Sequence, residues 1–81
     1  MYEKISEPIE VMVAFRDSRP EPIVFKWNRK IYRVSKVNLV HTERRGREKF
    51  YIFSVSDETN AYRLSFSGES LKWQLEEMAA M

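Results

Sequence analysis

The sequence predicts an all-β domain, a strongly bent six-stranded antiparallel meander or small barrel, and three observations carry that reading. Apolar residues recur at every second position over most of the chain. Three candidate tight turns each bring apolar residues opposite apolar residues, so the separate hairpins share one buried face. The parity of that face switches once, in the third strand, as a bending bulge requires.

The first strand places Ile9, Val11, Val13 and Phe15 on one face and Glu10, Met12 and Ala14 on the other. RDSRPEP, Arg16 to Pro22, follows as a loop or strand edge, because Pro20 and Pro22 cannot donate to a ladder. The second strand is expected from about Ile23 to Trp27. A two-residue loop at Asn28-Arg29 then pairs Trp27 with Lys30, Phe25 with Tyr32 and Ile23 with Val34.

In the third strand Tyr32 and Val34 have even parity whereas Val37 and Leu39 have odd parity, which predicts a β-bulge near Ser35-Lys36. ERRGR, Glu43 to Arg47, reads as the next loop, with Gly46 free to take a positive φ. A loop at Glu58-Thr59 sets Val55 against Tyr62, Phe53 against Leu64 and Tyr51 against Phe66. A type II′ turn at Gly68-Glu69 sets Phe66 against Leu71, Leu64 against Trp73 and Tyr62 against Leu75. The last segment, SLKWQLEEMAAM, reads as a strand to about Glu76 with a short helical or frayed tail after it, while Leu71, Leu75, Met78 and Ala79 also fit a helix stripe opened by Ser70 as N-cap, so strand and helix both stay open for 71–81. Phe15, Leu39 and Leu71 belong to the expected core with the inward residues of every strand.

Eighty-one residues suit one domain, 1–81, with 1–8 and 77–81 expected to fray. Hydrophobic content of 43% with 32% charge describes a folded chain. Cysteine is absent, so disulfides and thiolate metal sites are excluded and a reducing interior is the natural setting. MYEKISEPIE lacks a cationic leader with an apolar core, and no apolar run approaches the roughly 18 residues of a membrane span. The expectation is a cytoplasmic protein with no membrane partner.

Charge is unevenly placed. From Lys26 to Lys49 nine basic residues meet only Glu43 and Glu48, a net of +7, and the remainder carries five basic against ten acidic residues, a net of −5.

No catalytic constellation emerges. His41 is the single histidine, and no zinc, phosphate-loop, calcium or nucleophile-elbow motif is present, so no metal or cofactor is expected. Asp57-Glu58 is an adjacent carboxylate pair in a turn, where the burial needed for acid–base work is missing, and Glu76-Glu77 is a second such pair. A non-catalytic binding module is therefore expected.

Up-and-down topology gathers the first, third and fifth loops at one end, with Arg16, Arg19, Arg44, Arg45 and Arg47. The opposite end mixes Arg29 and Lys30 with Asp57 and Glu58. Lys26, Arg33, Arg63 and Lys72 point outward together with Val24, Ile31, Phe50 and Ile52. Forked arginine donors suit phosphates, and mixed aromatic and cationic sheet faces suit single strands, so these nine basic residues are the candidate nucleic-acid (DNA or RNA) contacts. The same mixed face also suits a protein partner or a homodimer. Charged loops and edges kept for solubility are the simpler explanation of such a surface.

The order Trp27, basic pair, Tyr32-x-Val34, then Tyr62-x-Leu64, then Trp73-x-Leu75 resembles a small bacterial β-domain family whose function is not established. The resemblance covers about Pro20 to Leu75, and Asn28 departs from the arginine or glycine expected at that turn. Members of the family sometimes occur beside lesion-bypass DNA polymerases, so the resemblance implies a β-domain with a DNA connection and supplies no catalytic residues.

Overall fold

The computed structural model describes residues 2–81, and among them it forms seven β-strands and no helix. The strands are β1 (Glu3–Arg16), β2 (Arg19–Trp27), β3 (Lys30–Arg33), β4 (Lys36–Arg45), β5 (Glu48–Ser56), β6 (Asn60–Ser67) and β7 (Trp73–Ala80). They make one antiparallel sheet in the order β3-β2-β1-β7-β6-β5-β4.

The edge strands β3 and β4 are separated in the chain only by Val34 and Ser35. Seven flat strands about 4.8 Å apart would hold their edges about 29 Å apart, whereas three Cα steps of 3.8 Å reach about 11 Å. The sheet must therefore curl until its two edges nearly meet, and it does so within overall dimensions of 34 × 29 × 23 Å. No ladder joins β3 to β4 among the described residues, so the sheet is bent but not closed.

The expected third strand is thus two strands, and the count is seven rather than six. The Val34 N–H donates to the Ile23 carbonyl (2.8 Å) and the Ser35 N–H donates to the Ser56 carbonyl (2.9 Å). Within one residue the chain changes neighbour from β2 to β5. The expected bulge lies two residues further along, where the register shifts between Val37 and Leu39 and leaves Asn38 unmatched. Val40 consequently opposes Phe53, and Leu39 turns out to solvent (57% exposed) rather than into the core.

The turn chemistry accounts for the other ladders. Asn28 and Arg29 both take positive φ (53° and 67°), and Phe25 faces Tyr32 and Trp27 faces Lys30 as expected. Asp17 and Ser18 take the same conformation (52° and 62°), so a tight hairpin replaces the long first loop. Pro20 and Pro22 lie inside β2, paired with Phe15 and Val13. They are tolerated because β3 covers only Val24 to Trp27, which leaves this half of β2 as an edge needing no donors.

Val55–Tyr62, Phe53–Leu64 and Tyr51–Phe66 pair as expected across the next turn. There the Asp57 carboxylate accepts from the N–H groups of Thr59 (2.9 Å) and Asn60 (2.7 Å). The type II′ turn at Gly68-Glu69 is not formed. The Ser67 hydroxyl instead accepts from the N–H groups of Glu69 and Ser70, and the Leu71 N–H donates to the Ser67 carbonyl. This longer loop slides β7 by two residues, so Phe66 meets Trp73 and Leu64 meets Leu75. A two-residue slip keeps every side chain on its expected face while changing its partner. Leu71, inside the loop at φ 62°, is exposed and not part of the core.

The expected frayed ends are paired strand, with Glu3 opposite Met78 and Asn60 opposite Ala80, and there is no helical tail. Met1 lies outside the described residues. The buried cluster is Ile9, Phe25, Phe53, Val55, Tyr62, Leu64 and Leu75. Phe15 is the remaining correction: β7 flanks β1 only up to Ile9, so nothing covers Phe15 beyond it, and it is 75% exposed.

Candidate nucleic-acid interface

β1, β4 and β6 run in the same direction, so the turns that follow them (Asp17-Ser18, Gly46-Arg47 and the Gly68–Leu71 loop) lie toward one end of the sheet. That end carries Arg16, Arg19, Arg44, Arg45 and Arg47, together with Lys49 and Lys72. These cations divide into separate groups. Arg16 and Arg19 border a cleft against Val37 to Val40, whereas Arg44 lies four residues beyond Val40, about 13 Å along β4 at 3.3 Å per residue.

Several of the candidate cations are engaged. Arg16 pairs with Glu21 (3.5 Å). Arg45 reaches Glu43 (3.3 Å) and Glu76 (3.6 Å) and lies 4.5 Å over the Phe50 ring. Arg63 pairs with Glu77 (3.1 Å), lies 5.4 Å from the Tyr2 ring, and keeps a buried Nε without an acceptor among the described residues. Glu76 is unmatched where the register shifts between Arg63 and Leu64, which turns both Glu76 and Glu77 toward the outer side of β6.

These side chains alter the expected outward face. Ile52 is 1% exposed, and its cross-strand neighbours are His41 and Ser65. His41 approaches Glu43 (3.4 Å), and the Ser65 hydroxyl donates to Glu76 (2.6 Å). The carboxyl of Glu43 is held below its ordinary value by the hydrogen bond with His41, which, with the smaller contribution of Arg45, outweighs the opposing effect of burial. Lys26 and Arg33 lie on a separate part of the sheet, where Lys26 opposes Ile31 and Arg33 opposes Val24. Lys26, Arg33 and Lys72 are exposed.

The inner face supplies what the outer face does not. Tyr51, Phe66 and Trp73 stand on three neighbouring strands, with ring centroids 6.2 Å (Tyr51–Phe66) and 4.9 Å (Phe66–Trp73) apart. Phe53, buried behind them, lies 5.3 Å from Trp73. The three leading rings are only half-buried: Phe66 and Trp73 occupy the inward positions of β6 and β7 next to their loop, and Tyr51, opposite Phe66, has only Lys49 beyond it on the same face of β5. Lys49 lies 5.2 Å over the Tyr51 ring and opposes Arg44 across the β4–β5 ladder. The Gly68 N–H donates to the Lys49 carbonyl and the Ser67 N–H to the Lys72 carbonyl, which holds the backbone of both lysines at the end of the sheet where the ring row stands. Arg44, Arg47, Lys49 and Lys72 have no acidic partner among the described residues.

Tyr51, Phe66 and Trp73 were expected in the core, and Lys49 was not a candidate contact. The available signal for Phe66 and Trp73 was position, because an inward aromatic beside a loop has no further strand residue to cover its outer edge. No helix among the described residues is long and apolar enough to cross a membrane, and no cluster of three potential metal ligands occurs among them. No protein-family profile, curated protein or solved structure matches the chain.

Proposed function

We propose that this domain binds single-stranded nucleic acid without catalysis, at the end where the aromatic row meets unpaired cations. The observation that carries the proposal is the half-buried row Tyr51–Phe66–Trp73, with Lys49 over Tyr51 and Arg44 opposite Lys49, at the end of the sheet that also carries Arg47 and Lys72. Bases stack on exposed ring edges and faces, each worth about 1–3 kcal/mol, while the cations neutralise neighbouring phosphates. A duplex offers no unstacked base to such a row. A cysteine-free chain suits a reducing cytoplasm, and the resemblance to a family found beside lesion-bypass polymerases agrees with a DNA ligand.

Fluorescence anisotropy with labelled single-stranded and duplex oligonucleotides tests this reading. Single strands are expected to bind more tightly, with affinity that falls as salt rises and drops when Arg44 and Arg47 become alanine. Equal affinity for duplex, or no binding near physiological salt, would overturn it.

A second reading, self-association, is favoured by exposed Met12 and Ile31 beside Lys26 and Arg33 on the outer side of β1, β2 and β3. Sedimentation of the protein alone tests it: a concentration-dependent dimer supports it, and a strict monomer removes it.

A further inference from the structure

The sheet has an open seam, set apart from the aromatic row. Past the hydrogen bond from Val34 to Ile23, no ladder joins β2 to β4 among the described residues. The half of β2 from Arg19 to Pro22 and the whole of β4 have no strand on their outer sides among the described residues. Between them runs a cleft of about 700 Å³ bordered by Pro20 and by Val37 to Val40. A smaller recess of about 230 Å³ continues it behind Val34 and Ser35. Leu39 and Val40 are exposed along this edge.

The chemistry of the seam selects its occupant. Unpaired main-chain groups of β4 alternate along the edge as an extended peptide backbone alternates, which is the match used in strand addition. Pro20 and Pro22 deprive the facing edge of donors, so β4 is the template and β2 the wall. Arg19 and Lys36, without acidic partners among the described residues, border the cleft and its inner recess. The acids there are Glu21, already held by Arg16, and Asp17 at the hairpin tip. Arg44 extends the positive charge further along β4.

A second copy of the chain fits poorly. Two β4 strands paired antiparallel over their full length would set Lys36 opposite Arg45 and Val37 opposite Arg44, and like charges directly opposed destabilise a ladder. We infer that the seam accepts an extended peptide with alternating acidic and apolar residues, which adds as a strand to the free edge of β4. Its apolar side chains, all on the inner face, cover Val37 and Val40, and its carboxylates, on the outer face, meet Arg19 and Lys36.

Isotope-labelled protein titrated by NMR with a short peptide of alternating glutamate and valine tests this. Saturable shifts are expected at the amides of Arg19, Glu21 and Val37 to Val40, with the Trp73 indole unmoved. The double variant Arg19→Glu, Lys36→Glu, at exposed positions, is expected to weaken that peptide by about tenfold and to favour one of alternating lysine and valine. Equal binding of both peptides to the natural protein would overturn the inference. So would an absence of saturable shifts, or a homothymidine strand moving the same seam amides. A homothymidine strand that moves only the Trp73 region leaves the seam assignment intact, so the two readings fail separately.

Discussion

Replacing Arg44 and Arg47 by alanine removes two of the four unpaired cations at the end of the sheet that carries the aromatic row while leaving the rings in place. If Arg44, Arg47, Lys49 and Lys72 each neutralise one phosphate, the slope of log affinity against log salt for a single strand is about 0.7 per contact, or about −2.8. Raising salt from about 50 to about 200 mM then weakens the natural protein about fifty-fold. With two contacts left the slope is about −1.4 and the loss about sevenfold over the same range. Anisotropy with a labelled homothymidine strand across a potassium chloride series reads both slopes. Arg29→Ala, in the turn at the opposite end, serves as the control and should leave the slope unchanged. A shallow slope for the natural protein, or one that Arg29→Ala alters as much as the paired substitution does, would refute the assignment.

Other outcomes concern the scaffold that holds this end in shape. Leu64→Ala, at a side chain fully withdrawn from solvent, should cost about 2–5 kcal/mol in urea unfolding. Tyr62→Phe should cost about 1 kcal/mol at neutral pH, because the Tyr62 hydroxyl donates to Asp57 Oδ2 (3.0 Å). Burial, with Asp57 beside it, pushes the Tyr62 phenol up to about 12 from an ordinary value of 10.0, so the unfolded chain loses its proton first. The stability this phenol contributes is present below about pH 10 and declines by up to about 2 kcal/mol as pH rises toward 12, a decline absent in Tyr62→Phe. Asp57 behaves oppositely. Burial raises its pKa, yet the N–H groups of Asn60 and Thr59 and the hydroxyls of Tyr62 and Thr59 outweigh that and hold it below its model-compound value. Its contribution is therefore lost as pH falls through the acid range, and Asp57→Asn should flatten that part of a stability–pH curve. Arg29→Gly should raise stability by about 0.5–1 kcal/mol, since Arg29 holds φ 67° and glycine takes that conformation without penalty.

The parts of this fold that could be read from sequence are those where turn length and side-chain period constrain one another. Asn28-Arg29 and Asp57–Asn60 set short turns, and the facing pairs on either side followed from counting outward. At Gly68 the same counting chose the right face and the wrong partner, because parity cannot distinguish registers two residues apart and the Ser67 hydroxyl organises a longer loop. For Pro20 and Pro22 the sequence allows a loop or a strand edge, and the structure has the edge; which of the two forms depends on β3 stopping at Arg33, a tertiary circumstance. The parity switch after Val34 was visible, but the exchange of neighbours that produces two strands was not.

For the candidate site, sequence identified the basic end and not its division. Arg45 and Arg63 gave no sign that Glu43, Glu76 and Glu77 would engage them, since Glu76 and Glu77 share a side only through the irregularity in β7. Tyr51, Phe66 and Trp73 looked like ordinary core residues. The partial exposure of Phe66 and Trp73 depends on where β6 and β7 end, and strand ends are the least determined feature of an alternating pattern.

Trp73 reports most directly on the central proposal, because it is one of two tryptophans and stands in the aromatic row. The variant Trp27→Phe leaves it as the sole indole, and its fluorescence can be followed while homothymidine is added. Stacking of bases on the row predicts saturable quenching of Trp73 that high salt reverses. An oligonucleotide that binds with no change at Trp73, or no binding near physiological salt, would contradict the proposal.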